Sequence, residues 1–307
     1  MKSPNNPGSP ALADLTTWSA GAGGPLAFNL NEVVEQALEL APLPASVTRL
    51  AGMAAQQNCH VEDLADLISF DQVLTLKLIR AANSAASASA LPISTVTDAV
   101  ERMGFSHVVA LAVAAAARPA MQSAIPAYSL PEGALWRHSV AAAVAVDAMQ
   151  SCQRTPVPSE TFTAALLHDV GKLVMGRFMS PEISGYIRRS HDAAAVTDIE
   201  FESSVLGMNH GELGGIIARH WNLPPRVVLG ITFHHDPERG KDLICDSAYL
   251  ANIIAKRVEG RTRDLDPATD VEPGVVARLS LSPELLDSIC RDAARRFDEV
   301  SRRYDSV

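Results

Sequence analysis

Apolar residues recur along this chain at helical spacing, with no stretch of strand-like alternation. From Asn31, NEVVEQALEL sets Val33, Val34, Ala37 and Leu38 on one stripe, with Asn31 where an N-cap belongs. Pro42 and Pro44 break that helix, and ASVTRLAGMAAQ starts the next. HVEDLADLIS and DQVLTLKLIRAANSAA follow as two helices separated near Phe70, the second with Val73, Leu76, Leu78 and Ile79 on a broad apolar face. TVTDAVERMG stops at Gly104, a residue suited to the left-handed turn that ends a helix. HVVALAVAAAA then reads as a helix buried nearly all round. Beyond Tyr128 come LWRHSVAAAVAVDAMQ, TFTAALLHDVGKLVMG and IEFESSVLGMNHGELGGIIARHW, the last with a helix resuming at His210. RVVLGITFHHDPE follows Leu223-Pro224-Pro225, and CDSAYLANIIAKRV is another helix. Ser282-Pro283-Glu284, an N-cap with proline at the first helical position, opens SPELLDSICRDAARRFDEV. The expectation is an all-α chain. Residues 1–27, rich in Pro, Gly, Ser and Asn, are expected to be a flexible tail.

Composition supports the helical reading. Of 307 residues, 47% are apolar and only 5% aromatic, and Ala and Leu fill most apolar positions, which favours helix over sheet. The formal net charge of −9, with no dense Lys/Arg patch, argues against a nucleic-acid binder. Arg295, Arg296, Arg302 and Arg303 are interleaved with acids, as on a solvated helix face. The cysteines at 59, 152, 245 and 290 form no CxxC pair and read as free, mostly buried thiols. The N-terminus has no apolar core of a signal peptide, and the longest apolar run, Val108–Ala117, is too short to span a bilayer. A soluble, cytoplasmic protein without membrane contact is expected.

The candidate chemistry lies in the second half. Five of nine histidines, at 138, 168, 210, 234 and 235, fall within 98 residues. With Asp169 they offer imidazole nitrogens suited to a transition metal and one carboxylate. That set could hold one ion, or two sharing Asp169 as a bridge. His168 and Asp169 are neighbours, and neighbours on a helix point about 100° apart. They can share an ion beside the helix, serve two ions, or lie where the helix is irregular. Lys172, four residues after His168, is a partner for phosphate oxygens rather than a ligand. The bland alternatives are a surface Asp169–Lys172 pair and a His234-His235 loop ahead of Asp236-Pro237. His60, His107, His191 and His220 are read as ordinary core or surface histidines.

The order His138, His168-Asp169, His210, His234-His235 resembles the HD superfamily of metal-dependent phosphohydrolases. More closely, the chain is similar to its HDOD branch, the HD-related output domain of bacterial signalling proteins. The resemblance covers roughly residues 30–300, through APLPASVTRL, IRAANSAA, DAVERMGFSHVVALAV, LWRHSVAAAVA, FTAALLHDVGKLV, VLGMNHGELGGIIARHWNLP and ITFHHDPE. It implies an HD-like multi-helix bundle with an additional N-terminal helical half. Residues 28–307 would form the HDOD domain: 28–127 the N-terminal half, 128–260 the HD-like half, and 261–307 a C-terminal linker and helix. It also implies His138, His168, Asp169, His210, His234 and His235 as metal ligands for iron, manganese or zinc, with Asp169 and Lys172 as the residues of any catalysis.

Three departures qualify that implication. The GYP loop of the related HD-GYP phosphodiesterases is missing after His235. A third-metal glutamate would fall at Ala134. The late-helix aspartate that closes the family's metal site aligns with Asn252, with Asp246 a less fitting alternative. Two divalent ions with one carboxylate leave a formal +3, which disfavours the second ion and leaves a vestigial or mononuclear site open. Two functions are carried forward. One is a signal-transduction output module that binds signalling proteins or a small ligand. The other is a metal-dependent phosphohydrolase acting on a nucleotide or cyclic dinucleotide.

Overall fold

The computed structural model describes residues 30–304 apart from 55–59, 70, 86–92, 154, 180–196, 261 and 263. The expected tail at 1–27, Cys59, Phe70 and His191 lie outside the described residues. The described part is all-α. Its one β feature is an isolated bridge between Ile125 and Leu130.

Among the described residues six α-helices precede Tyr128: α1 (Leu30–Leu38), α2 (Ala45–Ala54), α3 (Val61–Ser69), α4 (Gln72–Ala85), α5 (Val96–Met103) and α6 (Phe105–Met121). Helix α1 begins one residue before Asn31, within the ordinary uncertainty of a helix end. Thr95 caps α5 by accepting from the Asp98 N–H, and Gly104 at φ 76° turns the chain into α6. Helices α5 and α6 meet at 109°, and no single helix among the described residues is long and apolar enough to cross a membrane. Helix α6 runs on through Pro119, beyond the end of its apolar run.

The second half holds α7 (Ala134–Cys152), α8 (Thr161–Leu167), α9 (Lys172–Phe178), α10 (Asp198–Leu206), α11 (His210–His220) and α12 (Pro225–Thr232). After these come α13 (Pro237–Gly240), α14 (Leu243–Val258), α15 (Pro267–Asp270), α16 (Pro273–Arg278) and α17 (Pro283–Tyr304). Helix α7 lies at the centre of this half, packed against α8, α14 and α17. Its Ala141, Ala142, Ala145 and Ala148 are buried, and such small side chains let neighbouring helices approach closely. Leu250, Ile254, Leu286, Ile289 and Phe297 fill the core between α7, α14 and α17. A second core runs from Val33 and Leu50 in the first half to Leu213 and Ile231 in the second, joining the two halves through apolar contact.

The start signal at Ser282 is used: its Oγ accepts from the Leu285 N–H at 3.2 Å. On α17, Arg295 pairs with Asp292 and Glu299, and Arg296 with Asp292, so these arginines lie on a solvated, charge-laced face. Cys152, Cys245 and Cys290 are free thiols, with Cys245 buried and the other two partly so.

Candidate metal centre

TFTAALLHDVGKLVMG, expected as one helix, is instead two short helices, α8 and α9, joined by a turn over residues 168–171. In that turn Val170 donates to Leu167 at 2.9 Å and Lys172 to Asp169 at 3.0 Å, the i→i+3 pattern of a tightened coil. The irregularity lets the adjacent His168 and Asp169 face one centre. Gly171 permits it, because a Cβ there would lie 2.0 Å from the His210 carbonyl oxygen and 2.9 Å from the Gly214 nitrogen.

Each remaining histidine is placed by a local device. His138 lies one turn into α7. His210 is the first residue of α11, fixed by an Asn209/Glu212 capping box that the sequence NHGE encodes. His234 and His235 follow the end of α12, where Thr232 packs so tightly on α11 that a Cβ at Gly215 would lie 2.0 Å from Thr232 Oγ1.

All six residues converge. Asp169, His210, His234 and His235 present ligand atoms within 4.8 Å of one another, and so do His138, His168 and Asp169. Asp169 belongs to both groups. Its Oδ1 lies 2.9 Å from His210 Nε2 and 3.8 Å from His234 Nε2. Its Oδ2 lies 3.5 Å from His168 Nε2, 3.8 Å from His138 Nε2 and 2.7 Å from Lys172 Nζ. The Asp169–Lys172 pair is therefore at the centre of the site and not a surface pair: the side chains are 3% and 14% exposed. His60, His107 and His220 lie outside both groups, as expected for ordinary histidines.

Four of the five rings have the nitrogen that faces away from the centre tied down. His168 Nδ1 donates to the Ala165 carbonyl at 2.6 Å, and His234 Nδ1 to the Ile231 carbonyl at 2.7 Å. His210 Nδ1 lies 2.8 Å from Glu202 Oε2, which also accepts the His210 backbone N–H at 2.7 Å. His138 Nδ1 pairs with Glu259 Oε2 at 2.7 Å. Every one of these four rings is thus turned so that Nε2 faces inward, which is how a protein orients metal-binding histidines.

Of the inward atoms, His138 Nε2 meets Asn252 Oδ1 and His210 Nε2 meets His235 Nε2, each at 3.1 Å, and three others lack partners of their own. His168 Nε2, His234 Nε2 and Asp169 Oδ1 are buried without a hydrogen bond, Asp169 Oδ1 and His210 Nε2 being close but not aligned for one. An orphaned buried polar atom costs about 1–3 kcal/mol, so three at one point need a compensating ligand. The donor set, imidazole nitrogens around one carboxylate, fits a divalent transition ion.

The electrostatics agree. Burial pushes His168 down to about 3 and drives His234 and His235 well below the usual imidazole range, so all three are neutral near pH 7. Burial alone would raise the Asp169 carboxyl, but His168, Lys172 and His210 together hold it well below the carboxylate range. Burial opposes charge on Lys172 too, and Asp169 more than offsets it, leaving a firm ammonium.

Asn252 and Asp246 are now told apart. Asn252 Oδ1 lies 3.1 Å from His138 Nε2, at the centre. Asp246 is fully buried elsewhere, in a two-pronged pair with Arg278 at 2.7 and 2.8 Å. Three partners escaped the sequence reading: Glu202, Glu259 and Tyr128, whose hydroxyl donates to Glu202 Oε1 at 2.7 Å. Glu202 precedes His210 by eight residues on another helix, and Glu259 is 121 residues from His138, so no local spacing points to either.

Comparison with known proteins gives a consistent picture. The profile of the HDOD domain matches residues 40–237. An HDOD domain protein of unknown function from Geobacter sulfurreducens superposes with a TM-score of 0.66 at 24% identity, over 88% of this chain and 99% of that one. A protein from Marinobacter aquaeolei, named as a proposed signal transduction protein, gives a TM-score of 0.62 at 23% identity, over 96% of this chain and 64% of that one. An uncharacterized protein of Treponema pallidum is 23% identical over 229 residues, 73% of this chain, which spans only 44% of that relative's length.

Proposed function

The chain belongs to the HDOD domain family, and from that premise we propose that it is a signal-transduction output module whose HD half holds a buried divalent-metal centre. One observation carries the metal reading. Four inward-turned histidines, His235 and Asp169 come from four separate segments of the chain and meet at one point, with three orphaned ligand atoms among them. His138, His168 and Asp169 would hold one ion, and His210, His234 and His235 with Asp169 a second. Bound there, a divalent transition ion supplies Lewis-acid polarisation of a phosphoryl oxygen and a lowered pKa for water.

Burial favours the module. The ligand side chains of His138, His168, Asp169, His210 and His234 are all 4% exposed or less, and the centre links α7, the α8–α9 turn, α11 and the end of α12. Metal uptake would tighten these elements together and stabilise the fold by mass action. The tightened face would then be what signalling proteins read. The name of the Marinobacter relative is consistent with such a role.

A second reading rests on a different observation. Lys172 and His235 are only partly buried, so the site has an edge open to solvent where an ammonium meets the ligand set. A phosphate group entering there would meet Lys172, which supports a phosphohydrolase acting on a nucleotide or cyclic dinucleotide. Metal analysis of anaerobically purified protein, with turnover assays on cyclic dinucleotides and generic phosphodiesters, separates the two. Bound metal without turnover supports the module. Bound metal with turnover abolished by Asp169→Ala supports the hydrolase. A folded protein that takes up no metal overturns both.

A further inference from the structure

The ligand set is one carboxylate short, and the structure holds two buried carboxylates directly behind it. Asn252 touches His138 Nε2 through a neutral amide oxygen at 3.1 Å, where an aspartate would bring a charge. Two divalent ions with Asp169 alone leave a formal +3, and Lys172 makes it +4. Glu202, fully buried, grips the backbone N–H and Nδ1 of His210, with Tyr128 holding its other oxygen. Glu259, 4% exposed, sits on Nδ1 of His138 at 2.7 Å. Counting these two lowers the formal charge from +4 to +2.

Their placement is one per group. His138 belongs to the group with His168, and His210 to the group with His234 and His235. The remaining rings that are tied, His168 and His234, rest on neutral backbone carbonyls. A carboxylate behind a ligating imidazole fixes its tautomer and raises its basicity, and removing such a partner typically costs about 10–100-fold in metal affinity. Glu259 and Asn252 also share α14 and its C-cap, both reaching the same imidazole from opposite nitrogens.

We propose that Glu202 and Glu259 are positioning residues of the centre, one behind each metal position, and that Glu259 supplies from outside the ligand set the charge that Asn252 lacks. The inference rests on the metal reading above and adds to it which residues set the affinity of each position.

The test is a Co²⁺ titration of the full, metal-stripped chain, read by visible absorption and by bound ions per chain. Glu259→Gln weakens the His138 position and Glu202→Gln the His210 position, each by about 10–100-fold, so at Co²⁺ levels that just fill both wild-type positions each variant holds about one ion. Adding Asn252→Asp restores the second ion to the Glu259→Gln variant and not to Glu202→Gln. Should a glutamine variant fail to fold, Asn252→Asp alone keeps the test decisive, because it tightens the His138 position here. Folded glutamine variants that bind two ions as wild type does, an Asn252→Asp change that leaves affinity unaltered, or one that rescues both variants equally would overturn the proposal. Wild-type protein that binds no Co²⁺ would instead overturn the metal reading on which it rests.

Discussion

Gly171→Ala puts one methyl group into the turn that carries His168 and Asp169. The new Cβ would lie 2.0 Å from the His210 carbonyl oxygen, 2.9 Å from its carbon and 2.9 Å from the Gly214 nitrogen. All three are backbone atoms of α11, so no side chain can swing aside. Ordinary contact begins near 3.4 Å, and the turn and α11 must separate by more than 1 Å to reach it. Overpacking of this kind costs about 1–3 kcal/mol, and a rigid backbone opponent sets the upper end. For a chain of this size each kcal/mol lowers Tm by about 2–4 °C, so a drop of roughly 6–12 °C is expected. The same separation pulls Asp169 from His210 and should weaken metal binding together with stability. Urea denaturation and a thermal melt measure the first, and Co²⁺ titration the second. Gly52→Ala on α2 is the internal control: nothing lies within 4 Å of its Cβ, so it should be neutral or stabilising by about 0.4–1 kcal/mol. A Gly171→Ala protein within 0.5 kcal/mol of wild type, with unchanged metal affinity, would refute the close-approach argument.

Other outcomes are expected from the same structure. The metal-free protein should lose stability as pH falls below about 6.5: burial keeps His168, His234 and His235 neutral in the folded state, the unfolded chain takes up protons there, and each such imidazole contributes up to about 1.4 kcal/mol per pH unit. Urea midpoints measured from pH 7.5 to 5 check this, and a flat profile contradicts it. Lys172→Met should tighten metal binding by removing a cation 2.7 Å from Asp169, while abolishing any inorganic phosphate binding to the metal-loaded protein; weaker metal binding would contradict the assigned role. Arg278→Ala should cost about 3 kcal/mol, the low end for an orphaned buried charge because Arg278 is itself 34% exposed, and should leave metal stoichiometry unchanged since Asp246 lies outside the centre.

The helical architecture was legible because its signals are local. Gly104 after α5, the Ser282-Pro283 start of α17 and the resumption of a helix at His210 all use residues within a turn of the boundary they mark. The break between α8 and α9 was only one of several options left open at His168-Asp169, because the close approach of the His210 carbonyl to Gly171 comes from a helix some forty residues away. The candidate ligand histidines stood out through their order in the chain and the apolar setting of His168 and Asp169. The carboxylates behind them did not: a glutamate reads as solvated surface until packing shows Glu202 buried against His210 and Glu259 against His138. The choice between Asn252 and Asp246 likewise needed the structure, because both lie on α14 and only the fold turns one to His138 and the other to Arg278.

Metal content is the decisive measurement for a two-ion centre sharing Asp169. The full chain is purified anaerobically, and iron, manganese and zinc are counted per folded chain, beside an Asp169→Ala control. Two ions per wild-type chain are expected, with loss of both in the control. A folded wild-type chain that holds one ion or none, even after incubation with excess Fe²⁺, Mn²⁺ or Zn²⁺, would refute the two-ion centre.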